Sequence, residues 1–402
     1  MKKWLVKVLF GLAFWSIVPI AQAASAKFKT GADILCAAPN RYLKDKRVGI
    51  LSQSASIVMQ HTQPEHLVDV LQRLAGREGA KFKIEALFTP EHGFDKSKEA
   101  AAFIEHTKHP SIGCPIYSLH GAVRKPSPAM LKGLNLVVID LQDVGVRCST
   151  YISTMAYTIE AAAAAKIPVL VLDRPNPIKS WGASGKEFDK DYVSFLAKVK
   201  IPFIHGMTIG EIAKKSAKEC GATLTVIGAK GSQAKALKYL SHHFVAPSPN
   251  LQTLHSLFCY PITVALETTS YSKGGGTETP FELFGAPWVD GQALAKQLND
   301  QKLAGVMFEA TSFTPATSKT TRTPRYMDKL CGGAVLKFTD RTIAKPLEIS
   351  QAIVSTLFAM YPLQSRWLNT SKSGFVVDQM MAGPAWRLAV EKQAKNLQGI
   401  RA

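Results

Sequence analysis

Short apolar runs bounded by glycine, proline or polar residues alternate with stretches of helical spacing through the first half of the chain. Val48–Leu51, Ile84–Phe88, Ile116–Leu119, Leu136–Asp140 and Val169–Asp173 are mostly apolar without strict alternation, as expected of strands buried on both faces. Between them, His66–Ala75 and Tyr151–Ala165 carry Leu and Ala at helical spacing. A helix over Thr208–Glu219, capped by Thr208 with Glu211 at the capping-box position, precedes a strand at Leu224–Ile227. Strand–helix alternation of this kind predicts an α/β fold built on a doubly wound parallel sheet.

Pro247-Ser248-Pro249-Asn250 breaks the alternation, because two prolines so close suit neither a helix interior nor a central strand. A junction is therefore placed between residues 245 and 246, dividing an α/β domain over 24–245 from a smaller α+β domain over 246–402. The second part holds a helical stretch at Leu347–Met360 and a glycine-rich loop at Gly274–Gly276, in which Gly275 is a candidate for a left-handed backbone.

Composition narrows the picture only modestly. With 402 residues, 46% hydrophobic and 20% charged, the chain is ordinary for a globular protein, which excludes disorder and collagen-like order. The formal charge of +19 favours an acidic partner or surface. Lys2, Lys3 and Lys7, an apolar run over Val8–Ile20 and the small-x-small Ala21-Gln22-Ala23 form a bacterial export signal, read as residues 1–23. Cleavage after Ala23 would leave a periplasmic or secreted chain with no stable membrane insertion, since no later stretch is apolar enough to span. Nothing points to nucleic acid. The six cysteines lack CxxC spacing, so they are expected to be structural, with at most one or two disulfides.

In open α/β sheets, ligands sit beyond the carboxyl ends of the strands. The residues there are Ser52-Gln53-Ser54, Thr89-Pro90-Glu91-His92-Gly93, Ser118 and His120, Gln142-Asp143 with Arg147, and Arg174-Pro175-Asn176-Pro177. Glu91 lies between a proline that fixes the backbone and a glycine that permits a tight turn, an arrangement suited to a general acid or to a surface ion pair. Asp140, ending a buried strand, needs a partner that Arg147 or Arg174 can supply, whether for catalysis or for structure. His205 and Tyr151 are further candidates to contact a ligand. The glycine loop lacks the Lys-Ser/Thr ending of a P-loop, and neither a G-x-S-x-G elbow nor an H-E-x-x-H helix occurs. A metal gathered by His92, Asp140, Asp143 and His205 is a competing reading.

Several ordered motifs resemble one family. They are F-T-P-E-H-G-F at 88–94, I-D-L-Q-D-V-G-V-R at 139–147, T-Y-I-S-T-M at 150–155 and L-D-R-P-N-P at 172–177. H-G-M-T-I-G-E at 205–211, P-S-P-N-L at 247–251 and P-F-E-L-F-G-A-P-W at 280–288 extend them. Together they resemble the NamZ-type exo-β-N-acetylmuramidases, from Val48 to the C-terminus. The resemblance implies a Rossmann-like N-terminal domain, a smaller C-terminal domain and a site between them. It implies release of N-acetylmuramic acid from the non-reducing ends of peptidoglycan fragments, with no cofactor and no resident metal.

Carried over residue by residue, it makes Glu91 the catalytic carboxylate, with Asp140 or Glu267 as the second. His92, Gln142, Asp143, Tyr151, Arg174, Asn176, His205 and Asn250 match motif positions as substrate-binding residues. The chain departs from the family pattern at 267–282, where Lys273 stands for an acid and Gly275 and Thr279 stand for arginines, and again at 178–182. Weak discrimination between N-acetylmuramic acid and N-acetylglucosamine is therefore expected, with Lys273 or Arg174 supplying any preference. A peptidoglycan-binding protein without turnover is the alternative.

Overall fold

The structure is a computed structural model describing residues 28–60, 63–77, 79, 81–94, 107–188, 190–318, 321–370 and 374–399; the export signal expected at 1–23 lies outside them. Seven strands form the main sheet: β1 (Lys46–Ser52), β2 (Phe82–Thr89), β3 (Thr107–Lys108), β4 (Pro115–Ser118), β5 (Leu136–Asp140), β6 (Val169–Leu172) and β7 (Leu224–Ile227). Their spatial order is β3-β4-β2-β1-β5-β6-β7. Every neighbouring pair is parallel except β3–β4. The expected doubly wound sheet is present, and the short antiparallel edge is an addition that two residues are too few to announce by pattern.

Alternation along β5 shows why the sheet is covered on both faces. Leu136 and Val138 join a core with Leu35 of α1 (Gly31–Ala37) and with Leu67 and Leu71 of α2 (Leu67–Ala75). Val137 and Ile139 point the other way, packing with Ile152 and Met155 of α3 (Thr150–Ala164) and with Ile209 and Ile212 of α4 (Ile209–Cys220). Thr208 and Glu211 close the expected capping box: the Thr208 hydroxyl accepts from the Glu211 N–H, and the Glu211 carboxylate accepts from the Thr208 N–H at 2.7 Å. The chain leaves β1 for β2 on one side and returns to β5 on the other, so the crevice at this switch opens beyond the carboxyl ends of these strands.

The C-terminal part holds a three-stranded antiparallel sheet of β8 (Leu283–Ala286), β9 (Val306–Phe313) and β10 (Cys331–Phe338) in the order β8-β10-β9. It packs with α5 (Leu254–Thr263), α6 (Gly291–Asn299) and α7 (Pro346–Met360), the last matching the expected helix; α8 (Ala385–Gly399) lies on α7. One apolar core contains residues of both parts: Val144, Val146, Phe203 and Ile204 pack with Leu257, Phe258, Phe284 and Leu357. Buried Arg147 fastens the same seam, donating through Nη1 to the carbonyls of Lys186 at 2.8 Å and Ile201 at 2.7 Å, and through Nη2 to that of Met380 at 3.3 Å. Burial lowers its pKa to about 10, which leaves it charged at neutral pH. All six cysteines are unpaired. Among the described residues, no helix is long and apolar enough to cross a membrane.

Candidate active site

Just beyond β2 the backbone turns sharply. His92 and Gly93 both adopt left-handed conformations, with φ of 74° and 71°, and the Gly93 N–H donates to the Pro90 carbonyl at 3.3 Å. Glycine takes this conformation freely, whereas a histidine held there stores roughly 1–3 kcal/mol of strain, a cost that clusters at functional sites. The turn aims Glu91 inward with its side chain 15% exposed. The Thr150 hydroxyl, at the start of α3, donates to Glu91 Oε2 at 2.9 Å. His120, just after β4, places Nε2 at 3.9 Å from Oε1. Three sheet-end segments thus converge on one carboxyl.

Glu91 lines a chamber of about 210 Å³ whose far wall comes from the C-terminal part. Glu267 lies in that wall, on the 3₁₀ turn Val264–Thr268 that follows α5. Lys273 pairs with Glu267 Oε1 at 2.6 Å, and its ammonium sits 3.8 Å from the centre of the Phe281 ring. Tyr151 and Tyr260 complete the enclosure. Burial raises the pKa of both well above the usual tyrosine range; the charge of Glu91 adds to this at Tyr151, and those of Glu267 and Glu91 contribute at Tyr260. Both phenols are therefore neutral donors at physiological pH. The Tyr151 hydroxyl donates to the Pro247 carbonyl, and the Tyr260 hydroxyl lies 3.7 Å from the Cys148 sulfur.

A second cavity of about 390 Å³ adjoins the first, sharing Asn250, Glu267 and Lys273 with it and adding Gly275, Arg322 and Arg325. Together the two lie within the ~300–1,000 Å³ usual for small-molecule sites.

Of the residues singled out in the sequence, Glu91, His92, Tyr151, Asn250 and Glu267 meet in the chamber. Asp140, Arg174, Gln142, Asp143, Asn176 and His205 line neither cavity. Asp140 does not join Glu91, because both its oxygens are taken by Arg174, at 2.6 Å to Nε and 2.7 Å to Nη2, in a pair almost without solvent exposure. Burial disfavours the Arg174 charge, but the Asp140 charge and hydrogen bonds outweigh it and raise the arginine's pKa. Arg174, so occupied, lines neither cavity, and it, not Arg147, is the partner of Asp140.

The remaining four wire loops together. Gln142 Nε2 donates to the carbonyls of Asp143 at 2.7 Å and Pro175 at 2.9 Å. Asn176 Nδ2 donates to the Met207 carbonyl at 2.9 Å, and its Oδ1 accepts from the Ile178 N–H at 2.9 Å. Asp143 accepts from the Gly145 N–H at 2.7 Å and faces His205 Nε2 at 3.0 Å. Of the four residues in the metal reading, Asp140, Asp143 and His205 are engaged in these contacts; among the described residues, no three His, Cys, Asp or Glu side chains are grouped to hold an ion.

Sequence reasoning passed over Thr150, Tyr260, Arg322 and Arg325. Tyr260 reads as helix core in L-F-C-Y-P, and the arginines lie in a polar stretch without periodicity. The T-Y-I-S-T-M motif does contain Thr150, whose place at a helix start after a strand end was the available signal. Gly275 is not left-handed; Gly274 and Gly276 are, with φ of 79° and 81°.

The sequence family described as "Exo-beta-N-acetylmuramidase NamZ, N-terminal" matches residues 48–255, and its C-terminal counterpart matches residues 258–402. Peptidoglycan beta-N-acetylmuramidase NamZ of Bacillus subtilis (strain 168) is 37% identical over 398 residues, spanning 96% of this chain and 92% of the relative. Among solved structures, a DUF1343 family protein of Bacteroides fragilis NCTC 9343 superposes with a TM-score of 0.79 at 29% identity, covering 92% of this chain and 94% of the other. A second from the same organism gives 0.66 at 27% identity, covering 93% and 94%. The family resemblance read from the motifs is borne out along nearly the whole chain, and the protein belongs to the NamZ exo-β-N-acetylmuramidase family.

Proposed function

We propose that this chain is an exported glycoside hydrolase releasing N-acetylmuramic acid from the non-reducing ends of peptidoglycan fragments. The observation that carries the reading is the convergence of Glu91 and Glu267 on one chamber, since glycoside cleavage ordinarily uses two carboxyls. The activity named for the Bacillus relative supports the choice of sugar.

Glu91 acts as general acid. Thr150 donating to Oε2 directs the acidic proton to Oε1, from which it passes to the glycosidic oxygen as the bond breaks. Glu267 faces the positive charge developing on the sugar ring, either as nucleophile or as base toward water, and Lys273 and the Phe281 ring hold it in place. Tyr260, a neutral phenol beside both, is a hydrogen-bond donor to the substrate. His92 and Asn250 complete the binding surface. The export signal, with cleavage after Ala23, and the junction at 245–246 belong to the same proposal.

Incubating the mature protein with the MurNAc-GlcNAc disaccharide should release free N-acetylmuramic acid. Glu91→Gln should lower kcat by at least ~10²-fold while leaving substrate affinity nearly unchanged. Binding of the disaccharide without turnover would instead favour a peptidoglycan-binding protein, and near wild-type kcat in the variant would place the acid elsewhere.

A further inference from the structure

The end of the main sheet away from the chamber carries a charge pattern of its own. Four neighbouring strands, β2, β1, β5 and β6, are each entered through cations. Lys44, Lys46 and Arg47 lead into β1 and Lys81 and Lys83 into β2, while Lys132 stands just before β5 and Lys166 just before β6. Over the segments 44–47, 81–85, 132–135 and 165–168, seven lysines and arginines meet two acids, Asp45 and Glu85, and Glu85 is already paired with Lys83 at 3.1 Å. Lys46 is half-buried and the other six cations are exposed. Backbone bonds hold the segments at one level. Arg47 and Lys83 are register partners on parallel strands, the Arg47 N–H donates to Asn135 Oδ1 at 2.7 Å, and the Val137 N–H donates to the Pro168 carbonyl at 3.0 Å.

Local stability explains only part of this. A cation following a helix complements its dipole, which accounts for Lys166 after α3 and, over much shorter helices, for Lys44 and Lys132. Strand starts carry no comparable dipole. Nor do Lys46, Arg47, Lys81 and Lys83 blunt an exposed sheet edge, because β1 and β2 are interior strands. Like charges side by side, as Arg47 and Lys83 are, cost stability. An external anion would turn that cost into binding.

We propose that the amino-terminal end of the sheet docks the protein on a membrane surface rich in anionic lipid headgroups. Strands that start at one level present their cations as a flat array, which matches a bilayer surface, whereas a single polymer chain is ordinarily held in a groove. None of the exposed large apolar side chains belongs to these segments, so the contact is electrostatic, without insertion. The seven residues of β1, at about 3.3 Å each, put roughly 23 Å of strand between this face and the crevice at the carboxyl ends, which therefore stays open while the protein is docked. The proposal stands apart from the glycosidase reading and survives if that reading fails.

The test is sedimentation of the mature protein with vesicles of phosphatidylcholine alone and of phosphatidylcholine mixed with phosphatidylglycerol. Wild type should pellet with the anionic vesicles at low salt, be released at high salt, and ignore the neutral ones. The triple variant Lys44→Gln, Lys81→Gln, Lys132→Gln should raise the apparent Kd for anionic vesicles by about 30- to 150-fold, since each cation near such a surface contributes roughly five-fold. A second triple variant, Lys329→Gln, Lys392→Gln, Lys395→Gln, removes the same charge from exposed positions of the C-terminal part and should stay within about three-fold of wild type. Arginine at positions 44, 81 and 132 should retain binding, which separates lost charge from a damaged fold. Failure of wild type to bind anionic vesicles, binding that persists at high salt, or equal losses in the two glutamine triples would overturn the proposal. Poly-glutamate serves as the soluble polyanion: bound as tightly as the vesicles, with the same loss in the first triple, it would make the face a polymer site and refute docking on a membrane.

Discussion

His66 uses both ring nitrogens to start a helix. Its Nδ1 accepts the Val68 N–H at 3.3 Å as the cap of α2, while Nε2 lies 2.9 Å from the Gln53 carbonyl, to which it donates. Only the neutral ring with its proton on Nε2 satisfies both bonds. Burial lowers its pKa from 6.5, with Arg174 adding in the same direction, against raising contributions from the Gln53 bond and from Asp140 and Asp69. With the folded pKa below the unfolded one, the unfolded chain takes up the proton first. The stability His66 contributes is therefore complete above pH ~6.5 and declines as pH falls toward and through the folded pKa. Denaturant titrations from pH 7 to 5 should show that decline, and His66→Asn, which keeps a capping side chain without a titrating ring, should flatten it. An unchanged slope would assign the dependence to other groups.

Asp140 invites a different test. Removing one member of a buried ion pair strands the other, so Asp140→Ala should cost about 3–5 kcal/mol in unfolding experiments. Glu91→Gln should cost far less. Full stability with lost turnover in Asp140→Ala would restore it as a catalytic group. The sequence showed only that a carboxylate ending an apolar strand must be paired; a catalytic acid and a structural one look alike until the partner's position is known. Glu91 was more legible, because Pro90 and Gly93 beside it encode the turn itself.

Between residues and the whole stand the turns and strands that carry the site. The glycine loop owes its shape to its outer members. A Cβ on Gly276 would meet Pro324 Cβ at 2.6 Å and the Ala316 carbonyl at 2.7 Å, on a left-handed backbone, whereas one on Gly275 would meet only Lys273 Cε at 3.5 Å. Gly276→Ala should therefore destabilise the protein by about 1–3 kcal/mol and displace Ala316 and Pro324, which the added methyl would meet. Gly275→Ala should stay within ~0.5 kcal/mol of wild type. Thermal melts of the two variants check this, and equal behaviour would refute the packing argument. The parallel strands of the main sheet were legible because they read as apolar runs, most clearly in Leu136–Asp140, which is buried throughout. The C-terminal sheet was not: β9 mixes exposed, half-buried and buried positions without regular alternation, and β10 begins with two glycines after Cys331.

Taken whole, the chain encloses its site between two parts that differ in architecture yet share a core. Sequence punctuation at Pro247–Asn250 pointed to a boundary, and the same segment supplies Pro247 and Asn250 to the chamber wall. A linker and a site wall have the same local composition, so function at a proposed junction is invisible without the fold. The apolar residues at 144–148 and 203–204 were equally opaque, because they sit in loops whose burial depends on α5 and β8 arriving from far along the sequence.

That seam governs what becomes of the protein if it is cut. Two ordinary domains on a string would each survive separation; here, severing the chain between residues 245 and 246 would leave Val144, Val146, Phe203 and Ile204 on one fragment and Leu257, Phe258 and Phe284 on the other facing water, with Arg147 deprived of the Met380 carbonyl. Produced alone, each fragment should aggregate or bind a hydrophobic dye. Mixed during refolding, the two should reassemble into a one-to-one complex that recovers the chamber, measurable by size-exclusion chromatography and by loss of dye fluorescence. Fragments that are soluble and indifferent to each other would mean that the covalent link, and not the shared interior, joins the halves.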